Sequence, residues 1–351
     1  LASDFISEGM PVSFRIHGQL LDSGFSFPAA ETREMILSML SDEQREQLEN
    51  GDDVDFAIET PDYCRQRVNV FRQMKKVAAT IRLLNNTIPT LEQLQMPKVL
   101  RELADQPRGL ILVTGPTGSG KSTTLSAMID YINKNRSEHI ITIEDPVEKD
   151  LPNITQTSVN VTAGMTFAVG LRALLRQDPD IIMIGETRDA ETAEISVRSA
   201  ITGHLVVSTL HTNDAISSIV RLADMGVAPY LISNSVVGIV AQRLVRKVCQ
   251  FCKYEEPATA DDIAIVGDGI PMITRGKGCK VCNNTGYKGR ISIHEMVYID
   301  KTLKRMIAKS ADSQEMLEYA KKTQGMRSLL DSAIDLVKEG VTTPEEVMKI
   351  A

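Results

Sequence analysis

The sequence predicts an α/β protein in several parts. A small N-terminal α/β domain precedes a core on a parallel sheet, a cysteine-bearing subdomain and a helical C-terminal region. Three observations carry this. Short, β-branched apolar runs alternate with helical-period segments through the middle of the chain, as in a parallel sheet covered on both faces. A glycine-rich loop, Gly115-Pro116-Thr117-Gly118-Ser119-Gly120-Lys121-Ser122, stands between one such run and a helix. Four of the five cysteines fall in two C-x-x-C pairs.

At 351 residues the chain exceeds one comfortable core and calls for more than one domain. Its 42% hydrophobic and 24% charged residues are ordinary for a globular protein, which excludes a disordered or fibrous chain. A formal net charge of -7 argues against a dedicated nucleic-acid binder. No uninterrupted apolar run approaches the roughly 20 residues that span a bilayer. No signal peptide is visible, so the expectation is a soluble, cytoplasmic protein. The first residue is Leu1 rather than Met, which leaves open whether an N-terminal piece precedes it. In that compartment paired cysteines point to metal before disulfide.

Residues 1–85 read as the first domain. Pro11 to Leu21 sets Val12, Phe14 and Ile16 against Ser13, Arg15 and His17, the period-2 pattern of a half-buried strand, with Gly18 marking a turn. Pro28 to Leu40 reads as a helix, and Ser41 with Gln44 forms a capping box opening a second one that stops near Gly51. Asp53 to Ile58 and Arg65 to Leu83 return to strand-like alternation. The stretch Asn85-Asn86-Thr87-Ile88-Pro89 introduces a linker, placed at 86–97.

Residues 98–245 form the core. Leu110 to Val113 is a buried strand, and Leu125, Met128, Ile129 and Ile132 recur at helical spacing over Thr123 to Asn135. Further strands are read at Ile140–Ile143, Ile181–Ile184 and Leu205–Thr209. They end in Glu144-Asp145-Pro146-Val147-Glu148, in Gly185-Glu186 and in Leu210-His211. Ligands gather at the carboxyl ends of such strands. Residues 246–297 hold the cysteine pairs, and 298–351 read as helical. There Ala333, Ile334, Leu336 and Val337 make an apolar face, and Thr343-Pro344-Glu345-Glu346 is a capping box with proline at the first helical position.

Each cluster implies a chemistry. Glycines let successive backbone N–H groups curl around an anion, and the following helix adds its positive end. The loop, with Thr123 beside it, therefore binds a nucleoside triphosphate. Lys121 would bridge the β- and γ-phosphates, and the Ser122 hydroxyl would serve Mg²⁺. Glu186, expected on the strand beside the loop strand, could hold Mg²⁺ directly or through water. Either Glu144 or Glu148 could orient water for attack on the γ-phosphate, and spacing does not choose between them. His204 and His211 bracket the fourth strand, where a pair could sense the γ-phosphate. Arg67 and Arg82 are distant arginines of the kind that serve as fingers, with surface solvation the plainer account.

Cys249-Gln250-Phe251-Cys252 and Cys279-Lys280-Val281-Cys282 are separated by 26 residues. That spacing suits a closed tetrahedral Cys₄ site for Zn²⁺, structural rather than catalytic. Lys247, Lys253, Arg275, Lys277, Lys280, Lys288 and Arg290 surround it, to offset the thiolates or to face a partner.

The ordered set resembles a known family: the secretion ATPases of type IV pilus assembly and type II secretion (the GspE/PilB group, within the RecA-like P-loop NTPases). It is carried by Ala2-Ser3-Asp4 with Phe14-Arg15-Ile16-His17-Gly18, the phosphate loop, and Thr142-Ile143-Glu144-Asp145-Pro146-Val147-Glu148. Leu171-Arg172, Arg176-Gln177-Asp178-Pro179-Asp180, Gly185-Glu186-Thr187-Arg188-Asp189 and Thr202-Gly203-His204 continue it. Ser208-Thr209-Leu210-His211-Thr212-Asn213, Ala241-Gln242-Arg243-Leu244, the four cysteines and Gly286-Tyr287-Lys288-Gly289-Arg290 complete it.

The resemblance implies a PAS-like first domain and a RecA-like core. It makes Glu148 the general base, Glu144 a support for Mg²⁺ or water, Glu186 the Walker B carboxylate, and His204 with His211 the His-box pair. Arg67 and Arg82 would approach the nucleotide as the domains close, often across a hexamer. It implies ATP, Mg²⁺ and Zn²⁺, a homohexamer peripheral to the inner membrane, and an inner-membrane platform protein as partner. His17 stands where the family often has Asp, and the first hairpin is short, as in retraction motors. Retraction motors usually lack the four cysteines, so an assembly or secretion motor is expected first and a retraction motor second. A hexameric nucleic-acid translocase is the reading from another class, disfavoured by the acidic charge.

Overall fold

The computed structural model describes residues 2–16, 19–60, 65–83, 87–161 and 163–350. The turn expected at Gly18, the Asn85–Asn86 part of the linker, and Cys64 lie outside the described residues. The chain divides into two units, one of residues 1–88 with 144–152 and one of residues 89–143 with 153–351.

The first unit runs β1 (Ala2–Ser7), β2 (Ser13–Ile16), β3 (Gln19–Asp22), α1 (Ala29–Ser38), α2 (Asp42–Glu49), β4 (Val54–Glu59), β5 (Arg65–Gln73) and β6 (Lys76–Leu83). Its sheet has the order β3-β2-β1-β6-β5-β4, with antiparallel pairings throughout. Ile36 of α1 and Leu48 of α2 pack on Val68, Val70, Val77 and Ala79, so the strand alternation and the helical period meet in one small core. The Ser41 capping box forms as read: its hydroxyl accepts from Gln44 N–H, and the Gln44 carboxamide accepts from Ser41 N–H. Pro11–Leu21, read with a turn at Gly18, holds β2 and most of β3, and Arg65–Leu83, read as one run, folds back as the hairpin β5–β6. The second turn places Met74 and Lys75 at φ +50° and +63°, without the glycine or asparagine that usually announces it.

The second unit opens with α3 (Lys98–Ala104), β7 (Gly109–Thr114), α4 (Lys121–Asn135), β8 (Ile140–Glu144), β9 (Thr155–Ser158) and α5 (Phe167–Leu174). β10 (Ile181–Ile184), α6 (Ala190–Ile201), β11 (Leu205–Leu210), α7 (Ile216–Asp224), α8 (Pro229–Ser235) and β12 (Val236–Val248) follow. β13 (Lys253–Pro257), α9 (Ala260–Val266), β14 (Met272–Gly276) and β15 (Tyr287–Tyr298) lead to the helices α10 (Lys301–Ala308), α11 (Ser313–Gln324), α12 (Leu329–Lys338) and α13 (Pro344–Val347).

The main sheet has the order β15-β12-β7-β11-β10-β8-β9. β12, β7, β11, β10 and β8 are parallel, and β15 adds an antiparallel edge against β12. Two sequence expectations change here. The strand that ends at Glu186 is not beside the loop strand, because α6 returns the chain to insert β11 between β10 and β7. At α13 proline does occupy the first turn, but the Thr343 side chain makes no cap. Its hydroxyl is shared with Tyr287 at 2.8 Å, and Glu346 is drawn to Arg246. Among the described residues, no helix is long and apolar enough to cross a membrane.

Removing the Ser41 hydroxyl leaves a first-turn N–H of α2 without its acceptor. Ser41→Ala should lower stability by about 1 kcal/mol. Chemical denaturation of the two proteins checks this, and equal midpoints would remove the cap from the account.

Candidate active site and metal centre

β7 is buried along its whole length, and the chain leaves it at Thr114 into the loop. Gly115 adopts φ +152°, and a side chain there would collide with the Gln242 carbonyl and meet Ser119 Oγ at 2.6 Å. Gly120 adopts φ +91° as the N-cap of α4, with Gln242 Nε2 2.8 Å from where a Cβ would stand. These two glycines are demanded by close approach as well as by backbone conformation. The crest Pro116, Thr117 and Gly118 is exposed. Ser122 is also exposed and Thr123 half-buried, both in the first turn of α4.

Lys121 opens α4. Its ammonium donates to the carbonyls of Gly115 at 2.8 Å and Pro116 at 3.1 Å, folding back over the loop. Burial holds its pKa below the ordinary amine value, while the Glu186 charge acts the other way. The Lys121 ammonium and the Glu186 carboxylate therefore act on one another at the mouth of the loop. Glu186 lies just beyond β10, with Oε1 2.9 Å from His211 Nε2 and Oε2 2.8 Å from Arg188 Nη2. The turn beneath it is fixed: Thr209 Oγ1 donates to Gly185 O at 2.7 Å, and the Thr187 and Ser208 hydroxyls lie 2.8 Å apart. Glu186 and His211 thus meet at the carboxyl ends of neighbouring strands.

His204 does not join them. It precedes β11, where its carbonyl accepts from Gly109 N–H at the start of β7 and its ring N–H donates to Ser199 O at 2.9 Å. A strand of this length puts it roughly 20 Å from His211, at the amino end of the sheet. Two histidines bracketing one strand must lie at opposite ends of it. Within the second unit the structure therefore separates the His-box pair.

Arg67, Arg82 and Glu148 belong to the first unit, because residues 144–152 pack there after Glu144 closes β8. Arg67 and Arg82 are cross-strand partners on β5 and β6. Arg67 forks onto Asp55, with Nε–Oδ1 at 3.1 Å and Nη2–Oδ2 at 2.7 Å. That hydrogen bond raises its pKa against the effect of burial, and the charges of Glu148 and Asp145 add to the rise. Arg82 is exposed.

Sequence reasoning assigned no role to Gln242. It sits on β12 at 1% exposure, donating Nε2 to Ser119 O and accepting from Thr124 Oγ1, both at 2.8 Å. One carboxamide thus ties the back of the loop to the first turn of α4. The available signal was a lone glutamine ending the apolar run Ile239-Val240-Ala241. Arg188, quoted only within a motif, is the second partner of Glu186.

The four cysteine sulfurs lie within 4.8 Å of one another. The separations Cys249–Cys279, Cys252–Cys282 and Cys279–Cys282 are 3.9, 3.8 and 3.7 Å. Four thiolates at about 2.3 Å from Zn²⁺ in a regular tetrahedron stand about 3.8 Å apart. The donors match zinc in number, chemistry and spacing. The two knuckles meet through backbone: Cys249 N–H donates to Gly286 O at 2.9 Å, and Lys277 N–H to Cys252 O at 3.0 Å.

The family described as "Type II/IV secretion system protein" matches residues 4–349. The type II secretion system ATPase E of Vibrio cholerae is 48% identical over 253 residues, 71% of this chain and 50% of that protein. The type IV pilus assembly ATPase PilB of Thermus thermophilus is 42% identical over 309 residues, 86% of this chain and 34% of its own length. Among solved structures, the pilus retraction motor PilT with bound ADP superposes with TM-score 0.81 at 32% identity. That alignment covers 100% of this chain and 93% of PilT. The chain spans 34–60% of the length of the curated relatives it matches.

Two tests follow from this geometry. A methyl group at Gly276 would run into the Gly286 carbonyl, a backbone atom that cannot yield. Purified protein should carry about one zinc per chain by elemental analysis, and Gly276→Ala should lose it. Full zinc content in the variant would show that the close approach does not shape the site. Gln242→Leu would leave Ser119 O and the Thr124 hydroxyl buried without partners, lowering thermal stability by about 1–3 kcal/mol. An unchanged melting temperature would refute the clamp.

Proposed function

The chain belongs to the Type II/IV secretion system protein family, and on that premise we propose that it is an ATP-hydrolysing motor for type IV pilus assembly or type II secretion. The observation that carries the reading is the glycine-rich loop closed by a buried lysine at the start of a helix. The Lys121 ammonium folds back on the Gly115 and Pro116 carbonyls, and at the end of β10 His211 and Arg188 hold Glu186 in place. ATP would replace the Gly115 and Pro116 carbonyls as partner of the Lys121 ammonium, through its β- and γ-phosphates. The backbone N–H groups of the exposed Thr117 and Gly118 and the positive end of α4 would hold the remaining charge. Ser122 and Glu186 would hold Mg²⁺, which screens the triphosphate and steadies the leaving group.

Glu148 is assigned as general base and Glu144 as a support for Mg²⁺ or water. A carboxylate in that role takes the proton of the attacking water while the bond from the γ-phosphorus to the bridging oxygen breaks. Arg67 and Arg82 would stabilise the charge that develops. The chain would work as a homohexamer, peripheral to the inner membrane, against a platform protein. Identity of 42–48% to the secretion and assembly relatives favours that branch. The full-length likeness to PilT supports retraction as the second reading.

Glu148→Gln should keep tight ATP binding and lower turnover by about 10²–10⁴-fold, the share of a general base. Lys121→Ala should lose ATP binding itself. Hydrolysis assayed against protein concentration, beside mass in solution, should rise with hexamer formation. Wild-type turnover by Glu148→Gln would remove that residue from the chemistry. Full activity in a monomer would remove the ring.

A further inference from the structure

The zinc knuckles are loaded with charge that the ATPase reading does not use. Residues 246–253 and 275–290 hold eight basic residues and no acidic one, in a chain of net charge -7. Two of the eight are spent internally. Arg246 is bonded to Glu346, and Arg275 is shared among Asp262, Glu256 and Glu345. Lys247, Lys253, Lys277, Lys280, Lys288 and Arg290 have no carboxylate partner among the described residues, and all but Lys247 are exposed. Each knuckle also presents an apolar side chain between its cysteines: Phe251 is 72% exposed and Val281 44%. The four sulfurs lie within 4.8 Å of one another, so the two cysteine pairs that carry these side chains share one centre.

We propose that this apex docks on an anionic lipid surface, Phe251 and Val281 entering the headgroup layer while the lysines lie among the lipid phosphates. The inference rests on the reading of the chain as a membrane-peripheral motor and names the face it turns to the bilayer. Charge complementarity sets the class of occupant, and three details choose lipid. The free cations are mostly lysines, mobile point charges suited to a fluid array of headgroups. Of the three guanidinium forks that would recognise fixed carboxylates of a protein, Arg246 and Arg275 are occupied, which leaves Arg290 alone. An exposed phenylalanine with the Lys288 ammonium 5.6 Å from its ring is the amphipathic order of a membrane interface. The aromatic rings are also poorly placed to stack bases, since Lys288, Lys277 and Arg246 stand over Phe251, Tyr254 and Tyr287 at 5.6, 5.1 and 3.9 Å.

The test is sedimentation of the full zinc-loaded chain with phosphatidylcholine vesicles, with and without phosphatidylglycerol. Binding should require phosphatidylglycerol and weaken with salt. Lys280→Glu and Lys288→Glu should each reduce it by roughly fivefold or more, the share of one basic side chain near a charged surface. Phe251→Ser should reduce it by about tenfold, and all three variants should keep their zinc and their ATP hydrolysis. Equal binding to both vesicle types, or variants that bind as the wild type does, would overturn the proposal. So would displacement by polyglutamate or single-stranded DNA with no effect of Phe251→Ser, which would make the occupant an acidic protein or a nucleic acid. Failure here with ATP hydrolysis intact would leave the motor reading standing.

Discussion

The second unit depends on keeping one ammonium group out of water. Lys121 is 8% exposed, and its partners in this state are the Gly115 and Pro116 carbonyls. Burying a cation is tolerable only when acceptors surround it. The loop must therefore bring two carbonyls inward, which forces Gly115 and Gly120 into conformations and contacts that no other residue accepts. Once the backbone is turned that way, the crest Pro116–Gly118 stays exposed, where the proposed function places an anion. Packing and function are the same geometry here.

Strand order then decides which side chains reach the loop. Because β11 lies between β7 and β10, the end of β11 delivers His211 next to Glu186 rather than leaving that carboxylate alone. The carboxylate has one oxygen for the histidine and the other for Arg188, so it is oriented before any ligand arrives. An oriented carboxylate needs little rearrangement when a cation or a water binds to it. Ser208 and Thr209, near the end of β11, bond to Thr187 and Gly185 on either side of Glu186.

Much of this was legible in the sequence because it rests on local rules. The four core strands, the loop and α4, the Ser41 cap and the cysteine spacing all declare themselves within a few residues. What stayed hidden is set by distant parts of the chain. No local pattern says that β11 will be inserted beside β7, and so the neighbour of the loop strand was misplaced. The Thr343 cap looked sound by spacing and was lost to Tyr287, 56 residues away. The β5–β6 turn escaped because Met74 and Lys75 take left-handed conformations with no side chain that favours them. Gln242 carried no signal of its role, since its partners lie 118 and 123 residues away.

Gln242 also explains why the metal centre belongs in this chain. β12 is one continuous strand from Val236 to Val248. Gln242 near its middle holds the loop, Arg246 near its end holds Glu346 of α13, and Cys249 follows directly. A thirteen-residue strand that projects past its sheet neighbour β7, which pairs with it only as far as Ala241, would fray unless its far end were fixed. β15 fixes one side by pairing through Tyr287, and the four thiolates close the end where that pairing stops. Tyr287 carries the connection onward, beneath Arg246 and bonded to Thr343. The cysteine cluster, whose four sulfurs have the spacing of a zinc site, is thus the end-stop of the same strand whose middle shapes the glycine-rich loop.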